Sequence, residues 1–233
     1  MIKNKNILII GGSSGIGLAL ADLLSSSNNI YIASRSSDNL SGLNAHHITF
    51  DATSEILDTS LLPEKLDGFV YCPGSINLRP FKGLSVEAFE KDFQINVTGA
   101  INSLKNVLGN LSASGNASIV FFSTVAVQTG MPFHSSVAAS KGAIEGLTRS
   151  LAAEFAPKIR VNAIAPSLVN TPLASKFLNN DTKLEKANER HPLGRIGSAK
   201  EIAQAAAFLL GEESSWMTGR VLQLDGGIGN LKT

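Results

Sequence analysis

The chain has 233 residues, 43% of them hydrophobic, and 20 basic against 19 acidic side chains leave a formal net charge of +1. That length suits one sizeable α/β core and is short for two domains, and a balanced, evenly spread charge excludes a field that would draw in nucleic acid or an anionic membrane. A single cysteine, Cys72, excludes an internal disulfide and any cysteine-rich metal site.

Along the chain, short β-rich runs alternate with longer helical patterns, without repeats or linkers. This is the order of βαβ units around a parallel sheet. Strands are predicted at residues 6–10, 30–34, 47–50, 68–72, 118–123, 160–165 and 220–224, and the principal helices at 15–26, 86–108, 136–155 and 200–209. The runs GFVYC and IVFF are apolar at nearly every position, as in strands covered on both faces. The expected fold is a Rossmann-like, doubly wound parallel sheet of about seven strands with helices on both faces, in a single domain. The longest apolar runs have strand length and fall short of a membrane span. The opening MIKNKNILIIGG enters a strand and a glycine turn at once, leaving no room for a signal peptide, so a cytoplasmic protein is expected.

The first strand runs through Gly11, Gly12, Gly15 and Gly17 into a helix. Glycines there let the backbone turn tightly and let a pyrophosphate approach the helix N-terminus, where unpaired N–H groups and the dipole favour anions. By its place after the first strand, this is a dinucleotide site, with Ser13, Ser14 and Ile16 in the same turn. At the end of the second strand, IYIASRSS offers no carboxylate to receive ribose hydroxyls. Ser34 holds the expected acid position and Arg35 follows it, a pairing that suits a 2′-phosphate and favours NADPH over NADH. The alternative is that Arg35 is a solvated loop residue.

The spacing Gly11-x-x-x-Gly15-x-Gly17 resembles that of the short-chain dehydrogenase/reductase family, with Ile10 where that family usually has threonine. The resemblance continues through Asp51 and Ala52 in FDATSE, Gly74 after the fourth strand, Asn96 in INVTGA, the RVNAIAPSLVNTPL loop and the C-terminal FLLGEESSWMTGRVLQLDGG. It implies that Asp51, Ala52, Gly74, Pro166, Val169 and Thr171 line the cofactor, with Ser167 in place of a glycine.

It also implies a catalytic set: a tyrosine four residues before a lysine, a serine thirteen residues before the tyrosine, and a helical asparagine. Here Lys141 and Asn96 are present, Thr124 takes the serine's position beside Ser123, and Val137 takes the tyrosine's. The family lysine holds the nicotinamide ribose and lowers the phenol pKa. Lys141 retains the first role, and an isopropyl group has no proton to give for the second. The only tyrosines, Tyr31 and Tyr71, fall on strands. His134 is spaced three and seven residues from Val137 and Lys141, so it is either a substitute acid or an entry-loop residue. Tyr71 either reaches the cofactor or packs in the core, and Cys72 reads as a small core residue. His46, His47 and His191 have no metal-ligand spacing, and no metal is expected.

Residues 167–193 correspond to the segment that closes over substrate, with Leu168, Val169, Leu173, Phe177 and Leu178 giving a partly apolar pocket for a small molecule. The family implies a homodimer or homotetramer built on the helices at 86–108 and 136–155. Two readings stay open: an NADPH-dependent oxidoreductase acting on a carbonyl or alcohol through an altered proton-transfer site, and a catalytically silent NADP-binding protein that serves as sensor or scaffold.

Overall fold

The computed structural model describes residues 2–231. Its elements run β1 (Asn6–Ile10), α1 (Gly15–Ser25), β2 (Asn29–Ser34), β3 (Ala45–Thr49), β4 (Gly68–Tyr71), α2 (Val86–Phe93), α3 (Gly99–Ser114), β5 (Ala117–Phe122), α4 (Ala126–Thr129), α5 (Ser135–Phe155), β6 (Ile159–Pro166), β7 (Val169–Asn170), α6 (Asp181–Glu189), β8 (Gly197–Ser198), α7 (Ala199–Leu210) and β9 (Val221–Leu224). Seven strands form one parallel sheet in the order β3-β2-β1-β4-β5-β6-β9, and β7 pairs with β8 in a separate ribbon. The chain works outward from β1 to β3, then returns to place β4 on the other side of β1. Such a reversal opens a crevice beyond the carboxyl ends of the strands.

Alternation along β1 shows how both faces are covered. Leu8 and Ile10 join Phe69, Phe121, Val107, Leu111 and Ile144 on the face carrying α3 and α5. Ile7 and Ile9 join Leu20, Leu24, Ala203 and Leu209 on the face carrying α1 and α7. Every residue of β4 and β5 is buried, as their continuous apolar runs require.

The helix predicted at 86–108 is two helices separated by a π turn, Gln94–Thr98, and the second continues to Ser114. Within the π turn the Ile95 carbonyl accepts a hydrogen bond from the Tyr71 hydroxyl at 2.7 Å. Gly99 lies against that phenol, where any Cβ would collide with it. Tyr71 is therefore a buried packing group, and burial pushes its phenol well above its ordinary pKa. The strand predicted at 47–50 begins two residues earlier and ends one earlier, at Ala45–Thr49, and α5 begins one residue earlier, at Ser135. Within 167–193 a short 3-10 turn (Pro172–Phe177) and α6 supply regular structure that the apolar pattern did not reveal. No helix among the described residues is long and apolar enough to cross a membrane.

Candidate functional site

The loops after β1, β2, β4, β5 and β6 converge at the carboxyl edge of the sheet and enclose two adjoining spaces. The first, of about 550 Å³, is lined by Gly11, Ser13, Ser14, Gly15, Ile16, Gly17, Ser34, Arg35, Asp51, Ala52, Gly74 and Thr171. The second, of about 460 Å³, is lined by Thr124, His134, Val137, Lys141, Pro166, Val169 and again Gly74 and Thr171. Asn96, the helical asparagine singled out in the sequence, touches neither wall directly. It lies fully buried behind Gly74.

The first space fits a dinucleotide on three counts. Gly11 adopts φ +76°, and a Cβ there would lie 3.0 Å from the Pro73 ring, so the turn admits only glycine. Gly17 lies on the Gly11 carbonyl with no room for a side chain, which draws α1 tightly under the turn. The α1 N-cap, Ser14, makes no side-chain capping bond and the first turn holds no acid, so its leading N–H groups remain for an anion. At the adenosine end, Arg35 is exposed beside Asp51. The Thr53 hydroxyl and N–H, at 2.6 and 2.9 Å from Asp51 Oδ1, hold that carboxyl below the usual carboxylate range. Ser34 departs from expectation. Its hydroxyl donates to the Ser36 carbonyl at 2.9 Å and meets His47 Nε2 at 3.1 Å, so its proton is committed within the protein. A phosphate there would rely on Arg35, Ser13 and Ser14.

At the junction of the two spaces stand two polar groups without partners. Lys141 is 8% exposed, and among the described residues its ammonium has no hydrogen bond or ion pair. Burial pushes its pKa down to about 8. Asn96 Oδ1 is buried and unpaired. Gly74 measures how close the two come: a Cβ on it would lie 3.3 Å from Asn96 Oδ1 and 3.5 Å from Lys141 Nζ. The amide is aimed by its other end, since Asn96 Nδ2 donates to the Asp92 carbonyl at 2.8 Å and to Ser75 Oγ at 2.9 Å. Ser75 in turn donates to the buried Asp92 carboxylate at 2.6 Å, and Ser136 donates to its other oxygen. A native structure leaves few buried polar atoms unsatisfied, and Asn96 Oδ1 is one of them, next to the unpaired ammonium of Lys141, so a ligand beside Gly74 would have both to bond to.

Along the second space, Ser123 and Thr124 separate in role. The Ser123 hydroxyl donates to the buried Glu145 carboxylate at 2.8 Å, whereas Thr124 only accepts, from Ala126 N at 3.3 Å, and keeps its proton for a ligand. Val137, one turn before Lys141 on α5, presents an apolar side chain to the cavity. His134 is the entry residue of α5, with its Nδ1 2.7 Å from the Pro132 carbonyl, so Nδ1 carries the proton and Nε2 accepts. Cys72 lies on both walls, half-buried, and burial pushes its thiol up to about 12, against the opposing charge of Lys141. It is no nucleophile at neutral pH.

The structure adds a pair that motif spacing had not joined. His191, buried after α6, directs Nδ1 to the Ala187 carbonyl at 2.7 Å and receives the Ser167 hydroxyl on Nε2 at 2.9 Å. Both residues line the second space. The only hint in the sequence is the serine at a position where glycine was expected. Leu168, Val169, Leu173 and Phe177 line the same space, and Leu178 does not.

Residues 44–229 match a family profile described as Enoyl-(Acyl carrier protein) reductase. The chain is 34% identical to a 2,5-dichloro-2,5-cyclohexadiene-1,4-diol dehydrogenase of Sphingobium indicum, with 97% of each covered. In structure it is similar to levodione reductase, with a TM-score of 0.91, 27% identity and all of both chains covered. It is also similar to a single-residue variant of actinorhodin polyketide ketoreductase with NADPH, with a TM-score of 0.90, 26% identity and 98% of each chain covered.

Proposed function

This chain belongs to the short-chain dehydrogenase/reductase family, and we propose that it is an NADPH-dependent oxidoreductase acting on a carbonyl or alcohol, with an altered route for the proton. One observation carries this reading: the unpaired ammonium of Lys141 and the unpaired Oδ1 of Asn96, held beside Gly74 where the two spaces meet. A sugar hydroxyl placed there would satisfy the lysine.

Gly11, Ser13, Ser14, Gly15, Ile16 and Gly17 would hold the diphosphate, with Arg35 selecting the 2′-phosphate, Asp51 and Ala52 beside the adenine, and Pro166, Val169 and Thr171 around the nicotinamide. When bound, that group supplies or accepts the hydride. Thr124 donates a hydrogen bond to the substrate oxygen and fixes the carbonyl for reaction. Lys141 binds the ribose and adds positive charge near the developing oxyanion. Two groups on the cavity wall can exchange a proton with that oxygen in place of a phenol. One is His134, through Nε2. The other is Ser167, which passes its proton to His191 Nε2 as it takes one from an alcohol, or runs the reverse in a reduction. Partly exposed apolar residues on α3 and α5, including Ile101, Leu108, Leu147 and Leu151, support the homodimer or homotetramer the family implies.

Val137 supports a second reading, a cofactor-binding protein without turnover. Fluorescence titration with NADPH, followed by assays of NADPH consumption across aldehydes, ketones and quinones, separates the two. Binding with turnover supports the enzyme, and binding without turnover on any of them supports the silent protein. In an active protein, loss of rate on Ser167→Ala with His134→Ala unaffected assigns the proton to the serine and histidine pair, and the opposite pattern assigns it to His134.

A further inference from the structure

We infer that the second space takes a substrate with an anionic end, a carboxylate, and that Lys186 and Arg190 receive it. The inference rests on the reading of this space as the substrate site and adds the chemical class of the substrate. Helix α6 carries its charges on two faces. Lys183, Lys186 and Arg190 are spaced three and four residues apart and all line the cavity, on the same side as the buried Ala187. Asp181, Glu185 and Glu189 follow a spacing of four along a separate stripe, and none of them lines it. Like charges at such spacings repel by a few tenths of a kcal/mol per pair. Propensity alone gives no reason to gather three cations on one side.

Two of the three cations are also without local use. The Lys183 ammonium is engaged, donating to Asn179 Oδ1 at 2.8 Å and to the Lys176 carbonyl at 3.4 Å. The Lys186 ammonium and the Arg190 guanidinium, both on exposed residues, have no hydrogen bond or ion pair among the described residues. No acidic side chain lines the cavity, so every charged group on its wall, Lys141 included, is positive. The dinucleotide does not account for them, because none of the three α6 cations touches the first space, whose basic residues are Arg35 and Lys91.

The same wall that carries the α6 cations and Thr124 also carries the apolar side chains Ile76, Leu78, Met131, Leu173 and Phe177. A molecule matching this lining has a carbonyl or alcohol for Thr124, a hydrocarbon portion for the apolar side chains, and a carboxylate for the cations. Arg190 can grip such a group through two parallel hydrogen bonds, which Lys186 reinforces as a point charge. Keto acids and hydroxy acids have this form.

The test is calorimetric titration with straight-chain keto acids of about five to ten carbons, sized for a pocket of this class, and with the methyl ester of each. Parent protein is titrated both with and without saturating NADPH, and so is the Lys186→Gln/Arg190→Gln double variant. At least one acid is expected to bind about tenfold more tightly than its ester, and less so as salt is raised. That preference should vanish in the double variant while NADPH affinity stays unchanged. Lys186→Glu should turn the preference toward the ester, and Glu185→Gln, on the outer face, should leave it intact. Equal binding of acid and ester, no binding by any acid, or a preference that survives the double variant would each overturn the inference. Failure to bind NADPH would instead count against the cofactor reading, and the cofactor-free titrations would still decide the question of charge.

Discussion

Replacing Lys141 with Met should make the protein more stable at neutral pH and less able to hold NADPH. In the unfolded chain the amine titrates at its ordinary 10.5, and in the fold at about 8, because burial disfavours the ammonium. Between those values the unfolded chain binds the additional proton. Unfolding free energy therefore falls as pH drops from 10.5 to 8 and is level below that. With about 1.4 kcal/mol per tenfold, the full penalty is about 3 kcal/mol, and the side chain is too deeply buried for solvent to screen it away. Methionine has similar reach and nothing to titrate. Urea unfolding of parent and variant, followed by circular dichroism from about pH 7 to above pH 10, should show the variant ahead by about 3 kcal/mol at the acid end, with the gap closing toward the alkaline end. A packing offset would be constant in pH and so separable. A gap that does not change with pH would refute the burial argument. A fold that tolerates such a cost does so at a site shaped for a ligand rather than for stability.

Val137→Tyr places a phenol one turn from Lys141, and if the rest of the site is built for reduction, steady-state NADPH oxidation should rise by roughly 10² to 10⁴. Gly74→Ala puts a methyl group between Asn96 Oδ1 and Lys141 Nζ, at 3.3 and 3.5 Å from them. It should weaken NADPH about tenfold in a fluorescence titration while leaving the melting temperature nearly unchanged, since no other atom is crowded. Arg35→Ala should lower the ratio of NADPH to NADH affinity by about tenfold or more, and an unchanged ratio would return Arg35 to the solvated loop. NADPH affinity should decline as pH rises above about 8, because an ammonium that donates to the ribose is favoured in the complex and must first be recharged. Calorimetry in buffers of different ionisation enthalpy would detect the proton taken up.

The sheet was legible because its strands are either alternating or apolar throughout, and periodicity reports burial directly. The glycine turn was legible because its steric demand is local: Gly11 and Gly17 face their own loop and its neighbour. Asn96, Thr124 and Lys141 came from spacing against a known family, and the fold sets Asn96 and Lys141 beside Gly74, with Thr124 on the wall of the second space. The π turn escaped, since its Ile95 carbonyl is met by the Tyr71 hydroxyl from a strand 24 positions earlier in the chain. Ser34 lines the first space as expected, but its hydrogen bond to the Ser36 carbonyl could not be read from the strand alone. The Ser167 and His191 pair spans 24 positions and the two faces of α6 matter only once the helix is docked, so neither could be read from neighbours in sequence.

Diffraction from crystals grown with NADPH tests the central claim most directly. The diphosphate should lie along the turn from Gly11 to Gly17, and the nicotinamide ribose hydroxyls should fall within hydrogen-bonding distance of Lys141 Nζ. Cofactor density elsewhere on the molecule, or a ribose turned away from that amine in a fully occupied cleft, would contradict it.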